Sequence, residues 1–482
     1  MFNKNFSDEL NGLIQAGEIF SAAFCNMDCK YCYIPKTDEL KDMHKTIIEA
    51  LKSDNYIEIL KKVYCGGESL TSLSFWGTEP TLTLEHIASK VDKLYAEFKN
   101  LNAFDFSTNL LSHYKEIIKF TNAIEKQNRK TNFSMQVSLD GPPEITDYNR
   151  KKGSTNAIIN NLLDLVKTFC VKKYKNVNIK INFKSTLSME NIIMMVENPN
   201  KIEEYFDFFE NLFERIDTIL NNDKSDNIDI ILSISPTHVV PGSYTSLDGK
   251  HLAIFYRLID TIGKSKKYKY TNTWGQFKII FHNLLDTNYL AETIPSRITC
   301  SGGDCNLGYD INENAHICHR MFFLNNDEYI KGLIENSNDK NWDLKLTEKK
   351  SSIDFIKKFY TPNINNSYDM IRFLYLNRGF HDFIKTRQEF VYCALKELAF
   401  AGQASPIYLH DDNMALLFSY VVSLAFTCSA ESLVVNGQLN SISLSLIRAL
   451  ANGVFEYIIE DYAKTREDKK NLYLRKEMYN EC

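Results

Sequence analysis

The chain has 482 residues, 44% of them hydrophobic and 24% charged, with a formal net charge of -5, a length that admits two or three domains with cores of their own. The slightly acidic balance gives no sign of a nucleic-acid groove, and the one basic run, Lys264-Ser265-Lys266-Lys267-Tyr268-Lys269, reads as solvated surface. Met1 to Leu13 is polar and lacks the apolar core of a signal peptide, and the longest uncharged stretch, Met414 to Ala430, is short for a membrane span, so a cytoplasmic chain with no membrane segment is expected.

In chain order, short apolar runs alternate with longer amphipathic ones, the pattern of a parallel sheet wrapped by helices. Strands are predicted at Ile19 to Phe24, Ser72 to Trp76, Phe104 to Ser107, Phe133 to Leu139, Ile179 to Lys184 and Ile228 to Ile234. Helices are predicted at His44 to Val63, Leu84 to Lys99, Tyr114 to Gln127, Thr155 to Lys172 and Ile202 to Leu220, each with apolar residues at helical spacing. Six strand–helix units predict an α/β fold, an open or partial barrel over residues 1–240. A connecting segment, 241–295, follows.

Reactive groups in such a sheet belong on loops at the carboxyl ends of the strands. Cys25, Cys29 and Cys32 follow the first strand, Gly77-Thr78-Glu79-Pro80 the second, Ser107-Thr108-Asn109 the third and Ser138-Leu139-Asp140-Gly141-Pro142 the fourth. Gly, Pro, Asn and Asp are also ordinary turn residues, so each motif alone could be a turn. Their recurrence at successive strand ends is what singles them out. Three thiolates on one short loop can hold three irons of a four-iron cubane and leave the fourth iron open. A closed zinc site would need a fourth ligand, for which His44 is the nearest, and three unligated thiols are the bland alternative. Eleven cysteines, an odd number unevenly spread, argue against a disulfide framework and for metal or redox chemistry.

The Cys-x-x-x-Cys-x-x-Cys spacing, with Tyr31 and Tyr33 flanking Cys32, resembles the signature of the radical S-adenosylmethionine superfamily. The usual Gly-Gly-Glu-Pro segment is present as Gly77-Thr78-Glu79-Pro80, departing at Thr78; Gly66-Gly67-Glu68 lacks the proline and a preceding strand and reads as a loop. Ser138 to Pro142, then Asp147-Tyr148-Asn149-Arg150 and Gly153-Ser154, is similar to the branch holding sulfatase maturases and ribosomal-peptide maturases. The resemblance implies a partial (β/α)6 TIM-type barrel and a [4Fe-4S] cluster bound with S-adenosylmethionine. It also implies cofactor contacts from Tyr31, Tyr33, Gly77, Thr78, Glu79, Pro80, Ser107, Asn109, Ser138 and Arg150. Ser138 and Arg150 are the candidates for its carboxylate or ribose, Arg150 having a surface salt bridge as its alternative.

Cys300-Ser301-Gly302-Gly303-Asp304-Cys305 and then Cys318, beyond the turn-like Asn312-Glu313-Asn314, form a second group over residues 296–330. They are similar to the auxiliary-cluster domain called SPASM, or to its reduced form called twitch, and imply a small iron-sulfur hairpin domain with one auxiliary [4Fe-4S] cluster. Cys393 is the favoured fourth ligand, with Cys428 the other possibility; His316 and His319 leave a zinc site open. Residues 331–482 read as a helical C-terminal region with helices at Ser352 to Tyr360, Tyr368 to Leu376, Phe380 to Ala401, Met414 to Ala430 and Ile442 to Glu467.

The implied activity is reductive cleavage of S-adenosylmethionine to a 5'-deoxyadenosyl radical that takes hydrogen from a peptide or protein, forming a cross-link in a ribosomally made peptide. The electron would come from a reductant such as flavodoxin or ferredoxin. Side-chain oxidation of the sulfatase-maturase kind, a small-molecule substrate, and a metal-stabilised binding protein are the alternatives. With 24 residues before Cys25, leader-peptide binding is expected to use another surface.

Overall fold

The computed structural model describes residues 16–32, 34, 36–63, 70–223, 228–236, 249–268, 270–272, 306–309, 315–316, 457, 461 and 464. Among the described residues nine strands form one sheet in the order β7-β6-β5-β4-β3-β2-β1-β8-β9. They are β1 (Ala16–Ala22), β2 (Ser72–Gly77), β3 (Ala103–Thr108), β4 (Thr131–Ser138), β5 (Val177–Leu187), β6 (Ile228–Pro236), β7 (Tyr270–Asn272), β8 (Asn306–Tyr309) and β9 (Ala315–His316). Every neighbouring pair is parallel except β8 and β9, which pair antiparallel with Gly308 opposite His316. The six expected strands are present in the expected order, and the sheet is open, as in a partial barrel.

The strands alternate, and that decides where helices pack. Leu73, Phe75, Phe104, Phe106, Phe133, Met135, Val137, Ile179, Ile181 and Phe183 point to the buried face, whereas Ser74, Asp105, Ser134, Gln136 and Asn182 point the other way. A parallel sheet covered by helices on both faces would be apolar at both sets of positions. Here one face is the core, and the other is a polar face crossed in register by Ser74, Asp105, Ser134 and Lys180.

The helices are α1 (Asp38–Lys52), α2 (Asn55–Val63), α3 (Leu84–Ala88), α4 (Val91–Glu97), α5 (Tyr114–Glu125), α6 (Pro143–Asn149), α7 (Ser154–Lys172), α8 (Met189–Glu197), α9 (Asn200–Asp223) and α10 (Gly249–Ser265). Phe120 of α5 shows how they seat: its ring lies 5.4 Å from Phe104 and 5.7 Å from Phe133, so one side chain spans two adjacent strands.

Two predicted helices are broken. The run from His44 to Val63 starts earlier, at the Thr37 cap whose side chain accepts from Leu40 N–H, and divides where Ser53 Oγ accepts from Asn55 N–H at 3.2 Å. The run from Leu84 to Lys99 divides at Ser89 and Lys90, where Lys90 joins Asp54 at 2.8 Å. Two short helices escape periodicity because caps define them: α6 opens on a proline pair, and α8 on the Ser188 and Asn191 capping box. The segment read as a connection contains α10 and β7, which continue the strand–helix alternation. β8 and β9, antiparallel to each other, extend the same sheet beside β1, with Ala16 opposite Asn306. The predicted C-terminal helices from Ser352 to Ala430 lie outside the described residues.

One glycine is dictated by close approach. Gly77 has φ +146°, and a Cβ there would sit 2.1 Å from the Ala22 carbonyl oxygen. Gly153 has φ +78° with nothing within 4 Å of its would-be Cβ. Gly77→Ala is therefore expected to lower unfolding free energy by roughly 2–5 kcal/mol through clash plus strain, and Gly153→Ala by about 1 kcal/mol through strain alone. Denaturant titration checks this; equal losses would mean that the approach of β2 to β1 is not tight.

Candidate functional site

The cysteine loop leaves the carboxyl end of β1 and is tied to the loop after β2. Thr78 N–H donates to the Ala22 carbonyl at 2.9 Å, and Thr78 Oγ1 donates to the Phe24 carbonyl. The departure from the second glycine of the family motif thus has a use, since its hydroxyl fixes the backbone next to Cys25. Around the half-buried thiols, Cys25 Sγ accepts from Met27 N–H at 3.4 Å and Asn109 Nδ2 at 3.6 Å. Arg150 Nη1 lies 3.9 Å from Cys29 Sγ, and Cys32 N–H donates to the Cys29 carbonyl at 3.1 Å.

Glu79 is 1% exposed and faces inward. Its Oε1 accepts from Thr81 Oγ1 at 2.6 Å and Thr108 Oγ1 at 2.8 Å, and its Oε2 from Asn109 N–H at 2.7 Å. Burial pushes its pKa up while these donors pull it down. The carboxylate therefore clamps the loop after β2 to the end of β3. Asn109 carries that order onward, donating from Nδ2 to Asn26 Oδ1 at 2.8 Å while its Oδ1 accepts from Leu111 N–H at 2.9 Å.

The centre of the site is Asp140, 0% exposed, with Arg150, 8% exposed. Arg150 Nε donates to Asp140 Oδ2 at 2.9 Å and Nη2 to Oδ1 at 2.8 Å, a bidentate pair. Tyr31 Oη donates to the same carboxylate at 2.8 Å, Thr186 N–H at 3.0 Å and Asn149 Nδ2 at 3.4 Å. Burial alone would depress the Arg150 pKa, but the Asp140 carboxylate holds it above its ordinary value. Tyr31 is pushed well up by burial and stays a donor. One carboxylate thereby joins the ends of β4 and β5, α6 and the cysteine loop, and Lys30 N–H closes the circuit on the Asn149 carbonyl at 2.9 Å.

Sequence reasoning placed Asp140 in a strand-end motif without giving it a role. Its signal was its company, an Asp-Gly-Pro turn ten residues before an arginine. The surface salt bridge weighed for Arg150 is a buried one. Gly77, Thr78, Glu79, Pro80, Asn109 and Tyr31 are assembled here, with the side chains of Thr78, Glu79, Asn109 and Tyr31 engaged by protein groups. Ser107, exposed on β3, accepts from Gln136 Nε2 at 3.1 Å. Ser138, half-buried on β4 opposite Lys184, has no side-chain hydrogen bond among the described residues. Tyr33, Cys300, Cys305, Cys318 and Cys393 lie outside the described residues.

The donor set suits an iron-sulfur cluster. N–H groups aimed at cysteine sulfur and a nearby guanidinium are the groups that tune such clusters. Burial pushes the Cys25 thiol up to about 11 and Cys29 up to about 12, with Cys32 also raised, so each keeps its proton until a metal displaces it. Among the described residues no three His, Cys, Asp or Glu side chains are gathered around a point that would suit a single metal ion.

Residues 18–160 match the family described as 4Fe-4S single cluster domain, and this stretch holds Cys25, Cys29 and Cys32. A cysteine-type anaerobic sulfatase-maturating enzyme of Clostridium novyi (strain NT) is 28% identical over 148 residues, 29% of this chain and 36% of the relative. The match thus spans about a third of that relative's length. Among solved structures, native anSMEcpe with bound AdoMet and Cp18Cys peptide aligns with a TM-score of 0.45 at 16% identity, covering 94% of this chain and 99% of that one. Streptococcus suis SuiB bound to precursor peptide SuiA aligns with a TM-score of 0.39 at 15% identity, covering 66% and 61%.

Asp140→Asn would leave Arg150 buried opposite a neutral amide, so unfolding free energy is expected to fall by about 3–5 kcal/mol. The double variant with Arg150→Gln should lose less than the sum of the two single variants, because the orphaned charge goes with it. Chemical denaturation of the four proteins checks this, and additive losses would show that the pair is not coupled.

Proposed function

We propose that the chain is a radical S-adenosylmethionine enzyme acting on a peptide or protein. The observation that carries the reading is a loop of three half-buried thiols tied to one buried carboxylate at the carboxyl end of a parallel sheet, by Tyr31 and by Arg150, whose Nη1 also reaches the Cys29 thiol. Cys25, Cys29 and Cys32 would hold three irons of a [4Fe-4S] cluster. S-adenosylmethionine bound at the open iron would supply a 5'-deoxyadenosyl radical, the agent that removes hydrogen from an unactivated carbon.

The roles of the chain's own groups follow from which are still available. Ser138 Oγ, without a side-chain hydrogen bond among the described residues, is proposed to face the cofactor's carboxylate or ribose together with Arg150, whose Nη1 also reaches Cys29 Sγ at 3.9 Å. Gly77 and Thr78 contribute backbone shape, and Glu79 and Asn109 position the loops. The polar sheet face around Ser107, Gln136 and Asn182 is suited to hydrogen-bonding a peptide. Cys300, Cys305 and Cys318, with Cys393, are proposed to hold an auxiliary [4Fe-4S] cluster, and an acidic flavodoxin or ferredoxin to supply electrons in the cytoplasm. Among the described residues no helix is long and apolar enough to cross a membrane.

Formation of a cross-link in a ribosomally made peptide is the preferred outcome on the substrate. Side-chain oxidation is the second reading, favoured by the sulfatase-maturating relative. Purified without oxygen, the chain should carry about eight irons with matching sulfide, and alanine at Cys25, Cys29 and Cys32 should remove about half. Zinc alone with no charge-transfer absorption would end the enzyme reading. Co-expression with a peptide encoded beside the gene, followed by tandem mass spectrometry, separates the outcomes. A cross-link loses two hydrogens and resists fragmentation between the joined residues, whereas an oxidised side chain fragments normally; an unchanged peptide counts against both.

A further inference from the structure

We propose that the exposed surface formed by Lys30, Lys151 and Lys152 around Tyr148 is where a small acidic one-electron carrier protein docks to reduce the cluster. This rests on the function proposed above and adds the place where the electron enters. Lys30 is the residue after Cys29, and its N–H is bonded to the Asn149 carbonyl at 2.9 Å, so the cysteine loop and the 148–152 turn form one surface. The Lys30 ammonium lies 3.1 Å from the ring centroid of Tyr148, which is 48% exposed. Lys151 and Lys152 stand on a tight turn held by Ser154 N–H on the Lys151 carbonyl at 3.0 Å and by Asp147, which accepts from Gly153 N–H at 2.7 Å.

The charge here is uncompensated, which distinguishes it from other basic stretches. In the basic run noted in the sequence, Lys264 pairs with Asp260 and Asp461, Lys266 with Glu203 and Asp207, and Lys267 with Glu214. Lys30, Lys151 and Lys152 have no ion pair among the described residues. Lys36 is paired with Asp28 at the loop's edge, and the Asp147 carboxylate is turned onto the start of α7. Four lysines thus face two aspartates on a chain whose net charge is -5. Such a patch attracts an acidic partner from a distance, and its exposed aromatic ring offers contact on arrival.

The site's placement fits electron delivery. Transfer rates fall steeply with separation, so a donor must dock where a cluster ligand comes near the surface, and Cys29 is adjacent to Lys30 in the chain. In the step itself the reduced carrier loses one electron and the oxidised cluster gains it; no bond forms or breaks.

The test uses the full-length, cluster-loaded protein and an acidic flavodoxin as the probe. Lys151→Glu with Lys152→Glu is compared with Lys172→Glu and Lys173→Glu at the far end of α7, about 28 Å away along the helix. Binding of oxidised flavodoxin at low salt should weaken at least tenfold in the first pair and stay within twofold in the second, and Lys151→Gln with Lys152→Gln should fall between. Cluster reduction by flavodoxin hydroquinone should slow in parallel, while reduction by dithionite should not change. Unaltered flavodoxin affinity in the first pair, or equal weakening in both pairs, overturns the proposal. Absence of S-adenosylmethionine cleavage by the dithionite-reduced wild type would instead refute the function proposed above, and the binding data distinguish the two failures.

Discussion

The buried pair of Asp140 and Arg150 is the constraint on which the site depends. An isolated arginine or aspartate at this depth would cost several kcal/mol of desolvation. Each tolerates the interior only because the other is there, and because Tyr31, Thr186 and Asn149 fill the remaining acceptor positions of the carboxylate. Those donors come from separate parts of the chain. Satisfying one carboxylate therefore sets the cysteine loop and the ends of β4 and β5 in a fixed relation, and leaves one guanidinium nitrogen directed at Cys29.

A second buried carboxylate repeats the device on the other side of the loop. Glu79 collects donors from Thr81, Thr108 and Asn109, and Asn109 passes its amide to Asn26 and Cys25. The thiols are thus flanked by two ordered networks, each anchored by a buried acid. Pre-ordering of this kind is what a cluster with an open iron needs, since its ligands must not move when a cofactor enters.

Much of the architecture was legible because it rests on periodicity. Each predicted strand from β1 to β6 has the apolar alternation or run of a helix-covered strand, and α5, α7 and α9 carry long apolar stripes. What escaped is decided by single side chains: the Ser53 break between α1 and α2, the capping box of α8, and the short α6 opened by proline. At the site, residue types and strand-end positions could be read directly, but directions could not. Nothing in the order of residues shows that Glu79 and Asn109 turn inward while Ser138 stays open, or that Asp140 outranks its neighbours. Those facts come from which donors the fold brings within reach, and a linear motif does not record them.

The function proposed for this frame is that it holds Cys25, Cys29 and Cys32 around a cluster that cleaves S-adenosylmethionine. The most direct measurement is 5'-deoxyadenosine formation by the anaerobically reconstituted protein supplied with S-adenosylmethionine and dithionite, beside the Cys29→Ala variant. Deoxyadenosine is expected from the wild type and none from the variant. No product from a wild type loaded with iron and sulfide, or undiminished product from the variant, would contradict it.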